Sequence, residues 1–296
     1  MIYRIRHVTT YSYEATVASA RCVLRLTPRD DAGQARLFGD VRVTPDARLR
    51  EETCFFGARL HHAEIDTPHR ELRIEARARV RITRTPPAVP AEDPAFEDVR
   101  AAAATGTSRA PDAPVHALFP SQAVPAAPEI AAWASASLPE GTGVFAGTRD
   151  LMRRIHAEFA YAPGETDVAT PAREAFRARR GVCQDFAHVM IAGLRGLGLP
   201  ARYVSGYLRT IPPEGRPRLV GADATHAWVE AWCGPDLGWI GFDPTNAALV
   251  GPDHIVLAVG RDYADVSPVD GVVISSGGQS LAVSVDVVPE EEERGA

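Results

Sequence analysis

Cys183, His226 and Asp243 are the residues whose types and surroundings suit covalent chemistry in this chain. A thiol attacks a carbonyl as the thiolate, and an unperturbed cysteine, with a pKa of about 8.5, is only slightly ionised near neutrality. Cys183 opens a helical pattern. Cys183, Phe186, Met190, Leu194 and Leu197 fall on one face, with Ala187 and Ile191 beside them. Arg195 in the last turn, Gly198 after the last apolar residue and Pro200 close that helix, and Gly181 permits a tight turn into it. The thiol therefore sits at, or one residue before, a helix N-terminus, where unpaired N–H groups favour the anion. A neighbouring imidazole would strengthen the effect and later protonate a leaving group.

The histidine is expected from a strand, Thr225-His226-Ala227-Trp228-Val229-Glu230. Side chains alternate along a strand, so His226 shares a face with Trp228, Glu230 and Trp232. Gly234-Pro235-Asp236 and Gly238 mark a turn, and Trp239 to Asp243 reads as the returning strand of a hairpin. If the turn spans 233–238, Trp232 faces Trp239 and Trp228 faces Asp243. His226 then lies diagonal to Asp243 on one face, about 7–8 Å away between backbones. A carboxylate at that distance reaches an imidazole nitrogen, fixes its tautomer and supports the imidazolium. A slip of one residue would send the two groups to opposite faces.

Other candidates carry blander readings. His188, five residues past Cys183, is expected as a structural hydrogen bonder, and Gln184 and Asp185 as ties between the helix start and the sheet. Trp228, Trp232 and Trp239 read as core, with Trp228 as a possible wall of the site. His61, His62, Asp66 and His69 fit no compact ligand set, so no metal and no cofactor is expected. No acidic loop has calcium-ligand spacing. Cys22, Cys54 and Cys233 read as structural thiols, since no C-x-x-C pair occurs.

The elements that must position these groups follow from pattern. Residues 1–86 are expected as an N-terminal antiparallel β-sandwich-like domain. Its clearest strand is Glu71 to Ile82, where Leu72, Ile74, Ala76, Ala78, Val80 and Ile82 alternate with charged residues. The arginines among the latter read as a solvated face with Glu partners. Ile2 to Arg6 and Cys22 to Leu26 give shorter strand signals. A Pro/Ala-rich connecting segment is expected over 87–127. Residues 128–296 are expected as the catalytic domain. Its helices lie at Glu129 to Leu138, at Thr148 to Phe159 and from Thr170-Pro171, with Thr170 as cap and Pro171 at the first helical position. Later strands lie at Arg202 to Leu208, His254 to Val259 and Leu281 to Val288. Glu290 to Gly295 reads as a frayed charged tail. The fold class is α+β.

Composition excludes several functions. The 296 residues carry a net charge of −6, which argues against nucleic-acid binding. No apolar run reaches the roughly 18 residues of a membrane span, and the first residues lack a secretory signal, so a cytoplasmic protein with no membrane partner is expected. The sequence contains no lysine; all 32 cationic residues are arginine. Schiff-base chemistry, lysine-dependent phosphate loops and Ser-Lys dyads are therefore out of reach.

Gly181-Val182-Cys183-Gln184-Asp185-Phe186-Ala187-His188 resembles the nucleophile motif of the bacterial transglutaminase-like superfamily. Ala201 to Tyr207 is similar to the strand that follows the helix in that family. Thr225 to Glu230 resembles its histidine motif, Gly241 to Asn246 its aspartate motif, and Gly260-Arg261-Asp262-Tyr263 a later block. The resemblance implies a papain-like core of helices on an antiparallel sheet. It also implies thiol-dependent acyl transfer on a protein or peptide carboxamide through a Cys183 thioester. His226 would serve as base then acid, and Asp243 as orienter. An amine acceptor gives transamidation and water gives hydrolysis, as in a cysteine peptidase or amidase. A non-catalytic binding module with a relic triad is the reading of another class. For the oxyanion the Cys183 N–H is one donor. Animal members use an upstream Trp for the second, and Trp133 lies too far from the motif for that role. Tyr161, twenty-two residues before Cys183, is offered instead. The oligomeric state is left open.

Overall fold

The computed structural model describes residues 1–210 and 224–290. The first module contains β1 (Ile2–Val17), β2 (Ala20–Thr27), β3 (Gln34–Thr44), β4 (Arg48–Thr53), β5 (Arg59–Ile65) and β6 (His69–Ile82). The middle of the chain forms α1 (Phe96–Thr105), α2 (Pro128–Ala134), α3 (Val144–Glu158), β7 (Ala160–Tyr161), α4 (Ala172–Ala178), β8 (Arg180–Gly181) and α5 (Cys183–Gly196). Then follow β9 (Ala201–Leu208), β10 (Ala224–Trp232), β11 (Trp239–Asp243), β12 (Ala248–Leu249), β13 (His254–Gly260), α6 (Tyr263–Val266), β14 (Val269–Val273) and β15 (Gln279–Pro289). The fold is α+β, with antiparallel sheets and an N-terminal β module. Of the expected tail, residues 291–295 lie outside the described residues.

Two four-stranded antiparallel sheets, ordered β15-β1-β6-β3 and β14-β2-β5-β4, make the β module. Period-two sequence produces them. Leu72, Ile74 and Ala76 of β6 face Leu24, Val43 and Ile65 in the shared core, while Glu75 on the outer face takes Arg6, Arg73 and Arg77. Those three guanidinium groups overcome partial burial and pull the Glu75 carboxyl down to about 2.

The strand pairing departs from the expected boundaries in two places. β14 and β15 pair with β2 and β1, so residues 269–289 complete the N-terminal sheets and do not extend the C-terminal unit. Spacing along a chain cannot reveal such a return, because pairing is decided by which edge a strand meets. The segment 87–127 is also more than a connection. Phe96, Val99, Ala103, Ala113, Ala117, Val124 and Ala127 are buried, most of them in the core that surrounds α5. Locally, Pro171 stands at the N-cap of α4 and not at its first helical position.

That core is built on a five-stranded antiparallel sheet, β12-β11-β10-β9-β13, with α5 against β10 and β9. The buried Arg195 locks the end of α5. Its guanidinium donates to the carbonyls of Ala117, Ala201 and Arg261 and to Ser121 Oγ. The modules meet along an apolar seam of Tyr3, Ile5, Val80 and Val285 against Tyr207, Ile255 and Leu257. Gln34 acts there as a strand partner. Its Oε1 accepts the Val256 N–H and its Nε2 donates to the Val256 carbonyl, both at 2.8 Å. Among the described residues, no helix is long and apolar enough to cross a membrane.

A fragment of residues 1–86 lacks an edge strand from each sheet. It should show no slow-exchanging amides by hydrogen exchange, and a fusion of 1–86 to 268–290 should regain them. Protection of the short fragment alone would show the C-terminal strands to be dispensable.

Candidate active site

The turn into α5 is shaped by one contact. Gly181 has φ +156°, and a Cβ there would stand 2.5 Å from Asp185 Oδ2. That oxygen accepts the Val182 N–H at 2.8 Å and the Thr166 hydroxyl at 2.7 Å, capping the helix from its third residue. Gln184 Nε2 donates to the Val168 carbonyl at 3.2 Å. Gln184 and Asp185 thus tie the helix start to the 166–168 loop, where the sequence pointed to the sheet. Burial pushes the Asp185 carboxyl up, against the pull of those hydrogen bonds. Cys183, the first residue of α5, is half-buried.

Strands β10 and β11 pair in the expected register, Trp232 opposite Trp239 and Val229 opposite Phe242. Continued, that register sets Trp228 beside Asp243 and His226 on its diagonal. His226 Nε2 lies 2.8 Å from Asp243 Oδ2. The Cys183 sulfur is near enough to the imidazole to act on its charge. With Nε2 engaged by the carboxylate, Nδ1 is the nitrogen that remains for sulfur. The structure therefore brings Cys183, His226 and Asp243 together.

Electrostatics follow from burial and partners. Burial alone would depress the His226 imidazole, but the hydrogen bond to Asp243 and the nearby Cys183 sulfur outweigh it and push the group up to about 10. Burial would raise the Asp243 carboxyl, yet the bonds from His226, His254 and Asn246 hold it well below the usual carboxylate range. Oδ1 accepts the N–H groups of Thr245 at 3.0 Å and Asn246 at 3.2 Å. Oδ2 accepts from Asn246 Nδ2 at 2.7 Å and lies 3.2 Å from His254 Nε2.

Asn246 and His254 were missed in the sequence. Asn246 stood inside a motif without a role. In the sequence His254 reads only as the start of a strand, although an imidazole ahead of the apolar run Ile255-Val256-Leu257-Ala258-Val259 is a signal. Tyr161 is 57% exposed, on a strand paired in parallel with β8, where it stands opposite Gly181. Its hydroxyl, raised by burial, also feels the Cys183 sulfur. Trp228 is different. It is fully buried and packs among Val204, Val250, Val256 and Val259, so it cannot wall the substrate cleft. His188 is buried, its Nε2 accepts the Tyr263 N–H at 3.3 Å, and burial lowers it to about 4, as suits a neutral structural acceptor.

His226, Asp243 and His254 offer ligand atoms within 4.8 Å of one another, a spacing that a metal could use. The hydrogen bonding disagrees. Both Nε2 atoms point at one carboxylate oxygen, and His254 Nδ1 accepts the Gly251 N–H at 3.3 Å, which leaves the proton on Nε2. A protonated nitrogen cannot ligate. Elsewhere, His61 and His62 lie against Glu51 and Glu52 of β4.

The shifts set a pH window. The His226 group is raised above its ordinary 6.5, so its contribution to stability is complete below about pH 6.5 and is lost as pH climbs through about 10. The Asp243 group is depressed, so its contribution is present above its ordinary 3.8 and is lost as pH falls further. Urea unfolding of wild type and His226→Gln should therefore differ most near about pH 6, and the gap should narrow by about pH 9.5. A gap independent of pH would refute the ion pair.

Two family descriptions match the chain. The bacterial transglutaminase-like N-terminal region covers residues 3–81, and the transglutaminase-like superfamily covers 131–244. An uncharacterized protein of Mycobacterium tuberculosis is 39% identical over 98% of this chain and 93% of its own length. A protein-glutamine gamma-glutamyltransferase of Pseudomonas aeruginosa is 39% identical over 108 residues, 36% of this chain and 16% of that protein. A solved structure from Cytophaga hutchinsonii, described as a candidate cysteine protease, superposes with a TM-score of 0.72 at 23% identity, over 98% of this chain and 91% of the other. With its catalytic-type core and its β module both matched, the chain belongs to the bacterial transglutaminase-like superfamily.

Proposed function

We propose that the protein is a cysteine-dependent enzyme that transfers the acyl group of a protein or peptide carboxamide through a thioester on Cys183. The observation that carries this reading is the His226 imidazole, bonded at 2.8 Å to the buried Asp243 carboxylate and within electrostatic reach of the Cys183 sulfur. His226 takes the thiol proton and forms a thiolate–imidazolium pair. The sulfur then attacks the carbonyl carbon, and the oxyanion meets the Cys183 N–H in the first turn of α5, with the Tyr161 hydroxyl as second donor. His226 returns the proton to the departing nitrogen, so ammonia or an amine leaves and the thioester remains. An incoming amine, deprotonated by His226, attacks the thioester, forms the new amide and restores the thiol. Asp243 fixes the imidazole throughout and stays ionised.

The name of the Pseudomonas relative supports a glutaminyl carboxamide as acyl donor. Hydrolysis by the same steps, with water as acceptor, is the second reading, and the name of the Cytophaga protein supports it. We place the reaction in the cytoplasm, where a reducing pool keeps the four free thiols as they are.

Iodoacetamide at about pH 6 should modify Cys183 at least roughly tenfold faster than the other three cysteines, as followed by peptide mass spectrometry. Burial pushes the Cys22 thiol up and the Cys233 thiol up to about 12, so neither should compete. Uniform or absent labelling would count against the mechanism.

Glutaminyl peptides, assayed with and without an added primary amine, separate transfer from hydrolysis. Cys183→Ala should lower turnover of either kind by about a thousandfold or more. Unchanged affinity for a partner, with no turnover in wild type, would favour a binding module. Tyr161→Phe should lower kcat by roughly ten- to a thousandfold with KM little changed; an unaltered kcat removes Tyr161 from the oxyanion site.

A further inference from the structure

His254 is an imidazole that the proposed reaction does not use, yet it is built into the same site. It opens β13, is buried, and lies 3.2 Å through Nε2 from the Asp243 oxygen that holds His226. Its tautomer is set by the backbone, since the Gly251 N–H occupies Nδ1. Its ring stands edge-on to Trp228 at 5.2 Å, and Trp228 in turn lies against His226 at 6.1 Å. Room for that indole is left by Gly206, paired with both His226 and Val256, where a Cβ would stand 2.5 Å from Trp228 Cη2. The His254 carbonyl accepts from Arg84 Nη1 at 3.1 Å, so the backbone at this position is pinned as well.

We propose that His254 is a positioning residue that acts through Asp243, donating from Nε2 so that the carboxylate keeps its place and shares its charge while it holds His226. The inference rests on the thiolate–imidazolium reading above. Without this donor the carboxylate loses a partner that fixes Oδ2, so the imidazolium is held less firmly beside sulfur and the thiol is harder to ionise. The other charged or titratable groups around the pair are His226 and Cys183 on its near side and Arg209 and Asp253 around the adjoining cavity, with the Tyr3 hydroxyl on Asp253 at 2.7 Å. None of them replaces the missing donor on Oδ2, and Asn246 already makes its own bond there.

The test is the pH dependence of Cys183 alkylation by iodoacetamide in the full chain, for wild type, His254→Phe and His254→Gln. Phenylalanine keeps a ring against Trp228 and removes the donor; glutamine returns an N–H. In His254→Phe the midpoint should move up by about half a pH unit or more, and His254→Gln should bring it back toward wild type. A residue that only fills space would change thermal stability or the plateau rate and leave the midpoint where it was. Coincident midpoints for wild type and His254→Phe overturn the inference and leave the thiolate reading standing. So does a shifted midpoint that glutamine fails to restore. If His254→Phe does not fold, His254→Gln with a wild-type midpoint, set beside a shifted His254→Leu, supports it; equal midpoints overturn it. A wild-type midpoint near the free-thiol value of about 8.5 overturns both readings together.

Discussion

A carboxylate sealed from water has to be met by donors, and the arrangement around Asp243 answers that demand. Two backbone N–H groups meet Oδ1, and three side-chain partners converge on Oδ2. An unpaired anion at this depth would take up a proton, because desolvation penalises charge far more than it penalises a neutral acid. The donors reverse that preference. The negative charge survives where it acts on His226, and its effect is large because little water screens it. The elements around the site can be understood by which donor each one brings. The β10–β11 hairpin supplies the facing pair, the turn after β11 supplies the N–H groups and Asn246, and the first residue of β13 supplies His254.

The β module has a mechanical part in this. β13 pairs with β9, and its Val256 backbone is held from the other side by the Gln34 amide. Arg84 bonds the His254 carbonyl, and Tyr3 bonds Asp253, the residue just before it. His7 and Tyr207 join the modules at 2.9 Å beneath the apolar seam. The segment that reaches Asp243 is thus braced by residues from the first 84 positions of the chain. A precise hydrogen bond to a buried anion needs such support, since a small displacement weakens it steeply.

The thiol is placed by a different device. A helix start offers N–H groups, but only a defined turn aims the first side chain. Here the Asp185 carboxylate fills the space over Gly181 that a side chain would occupy, and it ties Val182 and Thr166 together. Thr166 and Val168 belong to the loop after Tyr161, so the nucleophile and the proposed oxyanion donor are fixed to one another through a few short contacts.

Local pattern was enough for much of this. Alternation gave β6, helical spacing with Gly198 and Pro200 gave α5, and counting residues around the 233–238 turn gave the register that pairs His226 with Asp243. These are short-range features, and the residues that decide them lie within one element or one hairpin. What the sequence could not show depends on distant segments meeting. The return of β14 and β15 to the first module is one case, and the burial of Phe96, Val99, Val124 and Ala127 in the core around α5 is another. The sealing of Trp228 away from solvent and the approach of His254 to Asp243 are two more. Residue types near the nucleophile determine which chemistry is available; which imidazole touches a carboxylate, and which tryptophan meets solvent, is settled only when β9, β10, β11 and β13 assemble into one sheet.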